Sequence, residues 1–142
     1  MNTETNHQKG VKSMGYYFSK IKKDTSFDKV IEDVIVNLKK EGFGILTEID
    51  VQETLKKKLD VNFKKYKILG ACNPPFAYRA LQAEDKIGIM LPCNVIVQEI
   101  SEGTVEIAAV DPVASMQAVN NPRLADVAKE IQNKLQRVIE NL

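Results

Sequence analysis

Histidine, cysteine and tryptophan are scarce in this sequence, and their scarcity excludes several classes of site. The chain has one histidine, His7, two cysteines and no tryptophan. Because His7 lies in the polar N-terminal stretch, the rest of the chain has no histidine for a Ser-His-Asp or Cys-His catalytic arrangement. Zinc sites with two cysteines and two histidines, or with four cysteines, are excluded within one chain. The residue inventory therefore favours a protein that is not an enzyme, and it predicts no catalytic residue, metal or cofactor.

Net charge and long apolar runs are lacking as well. The formal charge is +1 over 142 residues, which gives no electrostatic case for a nucleic-acid or acidic partner. No apolar run approaches the length of a bilayer span, and residues 1–13 lack the apolar segment of a secretory signal. We therefore expect a cytoplasmic protein without membrane association. A local group of lysines is interpreted as a solvated surface, because the patterns of known RNA-binding modules are missing: Lys56, Lys57, Lys58, Lys64, Lys65 and Lys67.

Size and composition predict a single domain. A hydrophobic share of 44% and a charged share of 27% are typical of a globular chain that buries its own core. Two cysteines are too few for a disulfide framework, so both thiols should be reduced. Residues 1–13 have no periodic apolar positions. We expect these residues to form a disordered leader, followed by one domain over residues 14–142.

Apolar residues at helical spacing predict two long helices. The first follows the N-cap residue Ser26 and stops at Gly42. The second starts at Asn121-Pro122 and continues to the end of the chain. Shorter helices are predicted over three segments: Val51–Leu59, Pro74–Ala83 and Val113–Val119.

Five apolar segments predict strands: Gly15–Ile21, Phe43–Ile49, Tyr66–Ala71, Ile87–Ile100 with a bend at Pro92, and Thr104–Val110. Alternate residues of the fourth strand should form an apolar face against the helices: Ile87, Ile89, Leu91, Cys93, Val95 and Val97. The order of elements predicts an α+β fold, with a twisted, largely antiparallel sheet and the two long helices packed on one face. The opposite face would be solvated or covered by a partner, so a homodimer through that face or through an edge strand is expected.

Four motifs in this order resemble the domain-of-unknown-function 302 family. They are the segments Gly44–Asp50, Tyr66–Pro74, Leu91–Val95 and Val110–Pro112. The resemblance extends from about Met14 to Leu142. It implies an α+β fold similar to that of the TATA-box-binding protein, and a homodimer. It implies no reaction, and likeness to a DNA-binding fold does not imply DNA binding.

The two cysteines are the first candidate site residues. Cys72 precedes a predicted helix N-terminus, which would favour a thiolate nucleophile, but it is interpreted first as a small buried side chain in a tight corner. Cys93 lies on the apolar face of its strand and is interpreted first as a core residue. If the two strands are neighbours, the thiols meet. They would then form a reversible disulfide or share a soft metal.

The residues that flank the cysteines complete the candidate site. Asn73 is predicted to cap a helix that starts at Pro74, with recognition of a ligand as the alternative. Asn94 precedes no helix, so hydrogen bonding within a loop and ligand recognition are equally supported. Asp111, before a proline, is interpreted as a turn residue that borders the site.

Three functions remain open from the sequence. The leading hypothesis is an accessory module that binds a small molecule as a homodimer. Its pocket would be formed by six residues: Cys72, Asn73, Pro74, Cys93, Asn94 and Asp111. The first alternative is thiol redox or soft-metal binding by Cys72 and Cys93. The second is a purely structural or interaction protein.

Overall fold

A six-stranded antiparallel sheet is the framework of the protein. The computed structural model describes residues 10–142. Within this range the strand order is β1-β2-β6-β5-β4-β3, and every neighbouring pair is antiparallel. The strands are β1 (Lys12–Met14), β2 (Tyr17–Lys23), β3 (Gly44–Asp50), β4 (Tyr66–Cys72), β5 (Cys93–Ser101) and β6 (Thr104–Val110).

Five α-helices join these strands in the described residues. They are α1 (Phe27–Lys40), α2 (Val51–Leu59), α3 (Pro74–Ala83), α4 (Pro112–Ser115) and α5 (Ala125–Glu140). Short 3₁₀ segments occupy Ile87–Met90, Gln117–Val119 and Pro122–Leu124. None of the helices within residues 10–142 is long and apolar enough to cross a bilayer.

The first long helix begins and ends as its sequence predicts. The Ser26 hydroxyl accepts a hydrogen bond from the Lys29 amide (3.2 Å), which satisfies one of the free N–H groups of the first turn. The helix stops before Gly42, whose φ of +88° is unfavourable for a residue with a side chain. Its buried stripe comprises Phe27, Val30, Ile31, Val34 and Leu38.

Helices α1 and α5 cover one face of the sheet, the inner face. Alternate residues of β5, such as Val95 and Val97, are fully buried together with the buried stripes of both helices. The intervening residues, such as Asn94 and Ile96, lie on the outer face. This arrangement confirms the predicted α+β fold with an antiparallel sheet and two long helices on one side.

The predicted strand Ile87–Ile100 is wrong over its first part. Ile87–Met90 forms a 3₁₀ turn, and β5 begins only at Cys93. Of the apolar face that was expected to meet the helices, Ile89 is 83% exposed. Pro92 has no N–H to donate to a neighbouring strand, so the ladder cannot continue through it. The apolar alternation of Ile87–Met90 therefore belongs to a compact turn and not to a strand.

The N-terminal boundary also differs from the sequence prediction. Val11 is fully buried in the core, and Lys12–Met14 pairs with β2. A strand of three residues is too short to give a periodic signal, so the sequence does not distinguish residues 11–13 from the leader. Residues 1–9 lie outside the described part of the chain. The single domain over 14–142 stays a prediction.

Two segments near the C-terminus differ from the helices that the sequence predicts there. The predicted short helix after Asp111 divides into α4 and a 3₁₀ segment that ends at Asn120, where φ is +44°. Pro122 begins a 3₁₀ turn, and α5 follows from Ala125.

Candidate ligand-binding cavity

A cavity of about 330 Å³ lies between the inner face of the sheet and helices α3 and α5. Its walls come from the C-terminal end of β4, the N-terminal end of β5 and the segment that joins α3 to β5. Helices α3 and α5 contribute alanines here, namely Ala77, Ala80 and Ala128. Because these side chains are small, the two helices approach each other without filling the space beneath them.

The lining of this cavity is almost entirely apolar. Among the described residues, Asn73 is the one lining side chain that carries nitrogen or oxygen, and no charged side chain lines it. The larger apolar side chains around it are Phe43, Leu46, Phe76, Leu81, Leu91, Met116, Val127 and Ile131. Burying a charged or strongly polar ligand in such a lining would leave its polar groups without partners. The cavity suits an uncharged ligand.

Phe76 is held in the cavity wall by two cations. The Arg79 guanidinium lies 5.2 Å from the centre of its ring, and the Lys134 ammonium lies 5.7 Å away. Arg79 also pairs with Glu130 of α5 at 3.6 Å. The cation–π contacts and the ion pair between half-exposed side chains each contribute little alone. The Arg79–Glu130 ion pair and the Lys134–Phe76 contact link α3 to α5 beside the cavity.

Both cysteines line this cavity. Cys93, the first residue of β5, is opposite Ala71 of β4, and Cys72 is the residue after Ala71. Cys93 is buried, whereas Cys72 is partly exposed. Burial raises the pKa of the Cys93 thiol to about 11, and the nearby Cys72 adds to this shift. Cys93 is therefore a protonated, apolar part of the wall at neutral pH, and Cys72 is the accessible thiol.

Asn73 occupies the N-cap position of α3, but its side chain does not cap the helix. Its Nδ2 donates instead to the backbone carbonyl of Glu41, at 3.0 Å. A Cβ on Gly42 would lie 3.1 Å from this nitrogen, so the glycine allows the close approach. The predicted capping bond is wrong because the side chain of Asn73 is directed to the Glu41 carbonyl at the end of α1 instead. Asn73 thus connects the end of α1 to the start of α3 beside the cavity.

Pro74, Asn94 and Asp111 do not line the cavity. Pro74 is exposed at the first position of α3, as the sequence predicts for a proline there. Asn94 lies opposite Gly70 and is exposed on the outer face of the sheet. Asp111 caps α4 through Oδ1, which accepts from the Val113 amide at 3.0 Å. Of the six candidate residues, Cys72, Asn73 and Cys93 line the cavity, and the other three lie elsewhere.

The helical part of the lining was not predicted as a site. Phe76, Ala77, Ala80, Leu81 and Ile131 belong to apolar stripes at helical spacing, which the sequence assigns to the core. The signal that distinguishes them is the run of small residues on α3 and α5. Small side chains on two helices that face each other leave unfilled volume.

Comparisons with known proteins agree with the fold. A family model described as "Domain of unknown function DUF302" matches residues 17–142. The crystal structure of an uncharacterized conserved DUF302 protein from Bacillus stearothermophilus is 30% identical in sequence, with a TM-score of 0.80. The match covers 89% of this chain and 98% of that one. No curated protein matches the chain. Sequence and fold together show that this protein belongs to the DUF302 family of unknown function.

Proposed function

We propose that this DUF302 protein binds a small, uncharged, apolar molecule in the cavity between α3, α5 and the sheet. The observation that carries the proposal is a space of about 330 Å³ with a single amide and no charged side chain in its described lining. Binding pockets for small molecules are concave, mostly apolar and contain a few polar groups that fix orientation. Asn73 and the Cys72 thiol supply those groups.

The volume indicates the size of the ligand. An apolar protein cavity of about 150 Å³ stays dry and binds benzene. The present cavity is roughly twice as large on that scale, so a fused two-ring compound or a short acyl chain would fill it. Longer chains would have to extend through the opening.

The opening lies beside exposed leucines. Leu46 and Leu81 line the cavity while 66% and 43% of their surfaces remain exposed. Leu46 lies at an irregularity in β3 where the pairing with β4 shifts by one residue. A bulge of this kind turns a side chain out of the regular alternation. Apolar residues at the entrance would let an apolar ligand enter without crossing a polar barrier.

The experiment is a fluorescence titration with N-phenyl-1-naphthylamine, an uncharged apolar probe that brightens when it leaves water. The wild type should bind it saturably, and Ala77→Leu and Ala128→Leu should weaken binding by about tenfold because the added methyl groups occupy the cavity. The matched control is Ala125→Leu, the same change at an exposed alanine at the start of α5. Equal binding by all four proteins would reject this cavity as the ligand site.

Thiol chemistry is a second candidate function, and the two cysteines at one cavity favour it. The high pKa of Cys93 supports an attacking role for the more accessible Cys72 and a resolving role for Cys93. A disulfide between them would release two electrons and two protons to an external disulfide oxidant. Titration with oxidised glutathione, followed by mass spectrometry, should show a loss of two mass units. Two thiols that stay unmodified under these conditions would exclude this function. The same thiols are the donors for a soft metal in the related prediction.

We also propose that the protein forms a homodimer through strand β3, in the cytoplasm. β3 is an edge strand that pairs with β4 alone, and Leu46 and Ile49 are exposed on it. Exposed apolar side chains on an unpaired edge favour association with another strand. Light scattering should give twice the chain mass, and Ile49→Lys should reduce it to the chain mass, with Ile100→Lys as the control. A wild type with the mass of one chain would reject the dimer.

A further inference from the structure

A second groove, of about 410 Å³, lies on the outer face of the sheet. It shares no lining residue with the cavity described above. Three of the four tyrosines of the chain line it: Tyr16, Tyr17 and Tyr66. No lysine or arginine belongs to its described lining. Aromatic rings thus line a space on the outer face to which no described helix contributes a lining residue.

The tyrosines approach the groove from opposite sides. Tyr17 is on β2, and Tyr16 precedes it in the turn from β1. Their rings are 5.1 Å apart and nearly perpendicular, at 76°. Tyr66 begins β4, three strands away in the sheet. Burial raises the pKa of the Tyr66 hydroxyl, and Tyr16 and Glu106 add smaller contributions in the same direction. Because all three tyrosines and Glu106 line this same groove, they form one cluster of groove residues.

Glu106 supplies the negative charge of this cluster. It lies on β6 opposite Gln98, and its Oε1 accepts a hydrogen bond from the Gln98 Nε2 at 2.9 Å. Within residues 10–142 it has no salt-bridge partner. A partly buried carboxylate with one neutral hydrogen bond is better stabilised when a cation is close. No lysine or arginine in the described lining of the groove supplies that cation.

We propose that the groove binds a small organic cation of the quaternary-ammonium type, between the tyrosine rings and the Glu106 carboxylate. Tyrosine faces attract alkylated ammonium groups through the ring quadrupole. A single carboxylate beside aromatic rings fits a large, weakly hydrated organic cation better than Ca²⁺ or Mg²⁺, whose sites are built from several oxygen ligands. Asn94, at the other end of the groove, is placed to bind a polar tail of such a molecule.

Choline is the probe, and 3,3-dimethylbutan-1-ol is its uncharged control with the same shape. Because the chain has no tryptophan, its fluorescence comes from tyrosine. A Tyr78→Phe background removes the tyrosine of α3, which lies outside the groove, so the signal then reports the three groove tyrosines. Choline should change this fluorescence saturably, with a dissociation constant of about 1 mM or tighter. The alcohol should bind at least about tenfold more weakly.

Variants in the same background assign the binding to these side chains. Glu106→Gln keeps the shape and should weaken choline binding about tenfold, whereas Glu102→Gln, in the exposed turn before β6, should not change it. Tyr66→Leu should weaken binding about fivefold, and Tyr66→Phe should retain it because the ring face remains. Circular dichroism confirms that each variant is folded. Equal affinity for the alcohol, no saturation by choline, or unchanged binding in folded Glu106→Gln would each overturn the proposal.

Discussion

Gly70 lies where β4 passes beneath Thr47 and Pro92, and there is no room for a side chain at this position. A Cβ built on Gly70 would overlap the Thr47 hydroxyl and come within 2.8 Å of Pro92 Cγ. Pro92 also lines the cavity. Replacing Gly70 by alanine should therefore destabilise the fold and displace one wall of the proposed binding site.

The size of the effect follows from two opposing contributions. Overpacking of a close contact typically costs about 1–3 kcal/mol. A change from glycine to alanine restricts the unfolded chain and stabilises by about 0.4–1 kcal/mol where the site has room. The net loss for Gly70→Ala should be about 1–2 kcal/mol. For a chain of this length, that corresponds to a decrease in Tm of about 3–7 °C.

Urea unfolding of Gly70→Ala, of Thr47→Ala and of the double variant measures this loss and assigns its cause. The double variant should recover about 1 kcal/mol relative to additivity, because the overlap with the hydroxyl is removed while the contact with Pro92 remains. Gly44→Ala on the neighbouring strand is the control, since a Cβ there meets nothing within 4 Å. The steric reasoning would be refuted if Gly70→Ala were as stable as the wild type. It would also be refuted if the changes in free energy of unfolding for Gly70→Ala and Thr47→Ala were strictly additive.

Three further predictions concern the residues beside the cavity and the first helix. Burial raises the pKa of Cys93 from 9.0 to about 11, so the folded state keeps a proton that the unfolded chain loses between these values. The free energy of unfolding should therefore fall as the pH rises through this window, by about 1.4 kcal/mol per pH unit. Urea unfolding at several pH values should show a shallower decrease for Cys93→Ala than for the wild type, in which Tyr66 with its raised pKa also contributes; parallel profiles would contradict the prediction. Asn73→Ala leaves the Glu41 carbonyl without its partner and should cost about 1–3 kcal/mol in urea unfolding, whereas the exposed Asn62→Ala should cost almost nothing. Ser26→Ala removes the cap of α1 and should cost about 1 kcal/mol; an unchanged urea midpoint would show that the cap is dispensable.

The fold was predictable from the sequence where the signal is periodic and long. The stripe of α1 and the cap at Ser26 are both local features, and the structure has them as predicted. The prediction of a strand before Pro92 is wrong because, over four residues, period-two alternation cannot distinguish a strand from a tight turn. The burial of Val11 was not predictable for a different reason. A single buried residue next to a three-residue strand is fixed by tertiary contacts and leaves no pattern.

The candidate site was predictable only in part, because a cavity is a property of what surrounds it. The rarity of cysteine in the sequence indicates both cysteines as candidate site residues, and both line the cavity. The alanines of α3 and α5 create it, but alanine at helical spacing is equally common in filled cores. The sequence does not reveal the outer groove, because its tyrosines come from the start of β2, the turn before it and β4. Strands β2 and β4 neighbour each other neither in the sequence nor in the sheet.

Strand alternation explains why the Leu91–Asn94 motif cannot serve a single pocket. Successive side chains of a strand point to opposite faces of the sheet. Cys93 therefore lines the inner cavity, while Asn94, the next residue, lines the outer groove. The sheet is one layer thick at this point, so a displacement of β5 that widens one site must move a wall of the other. If both sites bind ligands, occupation of the cavity should change choline affinity, and by linkage the reverse change must be equal in free energy.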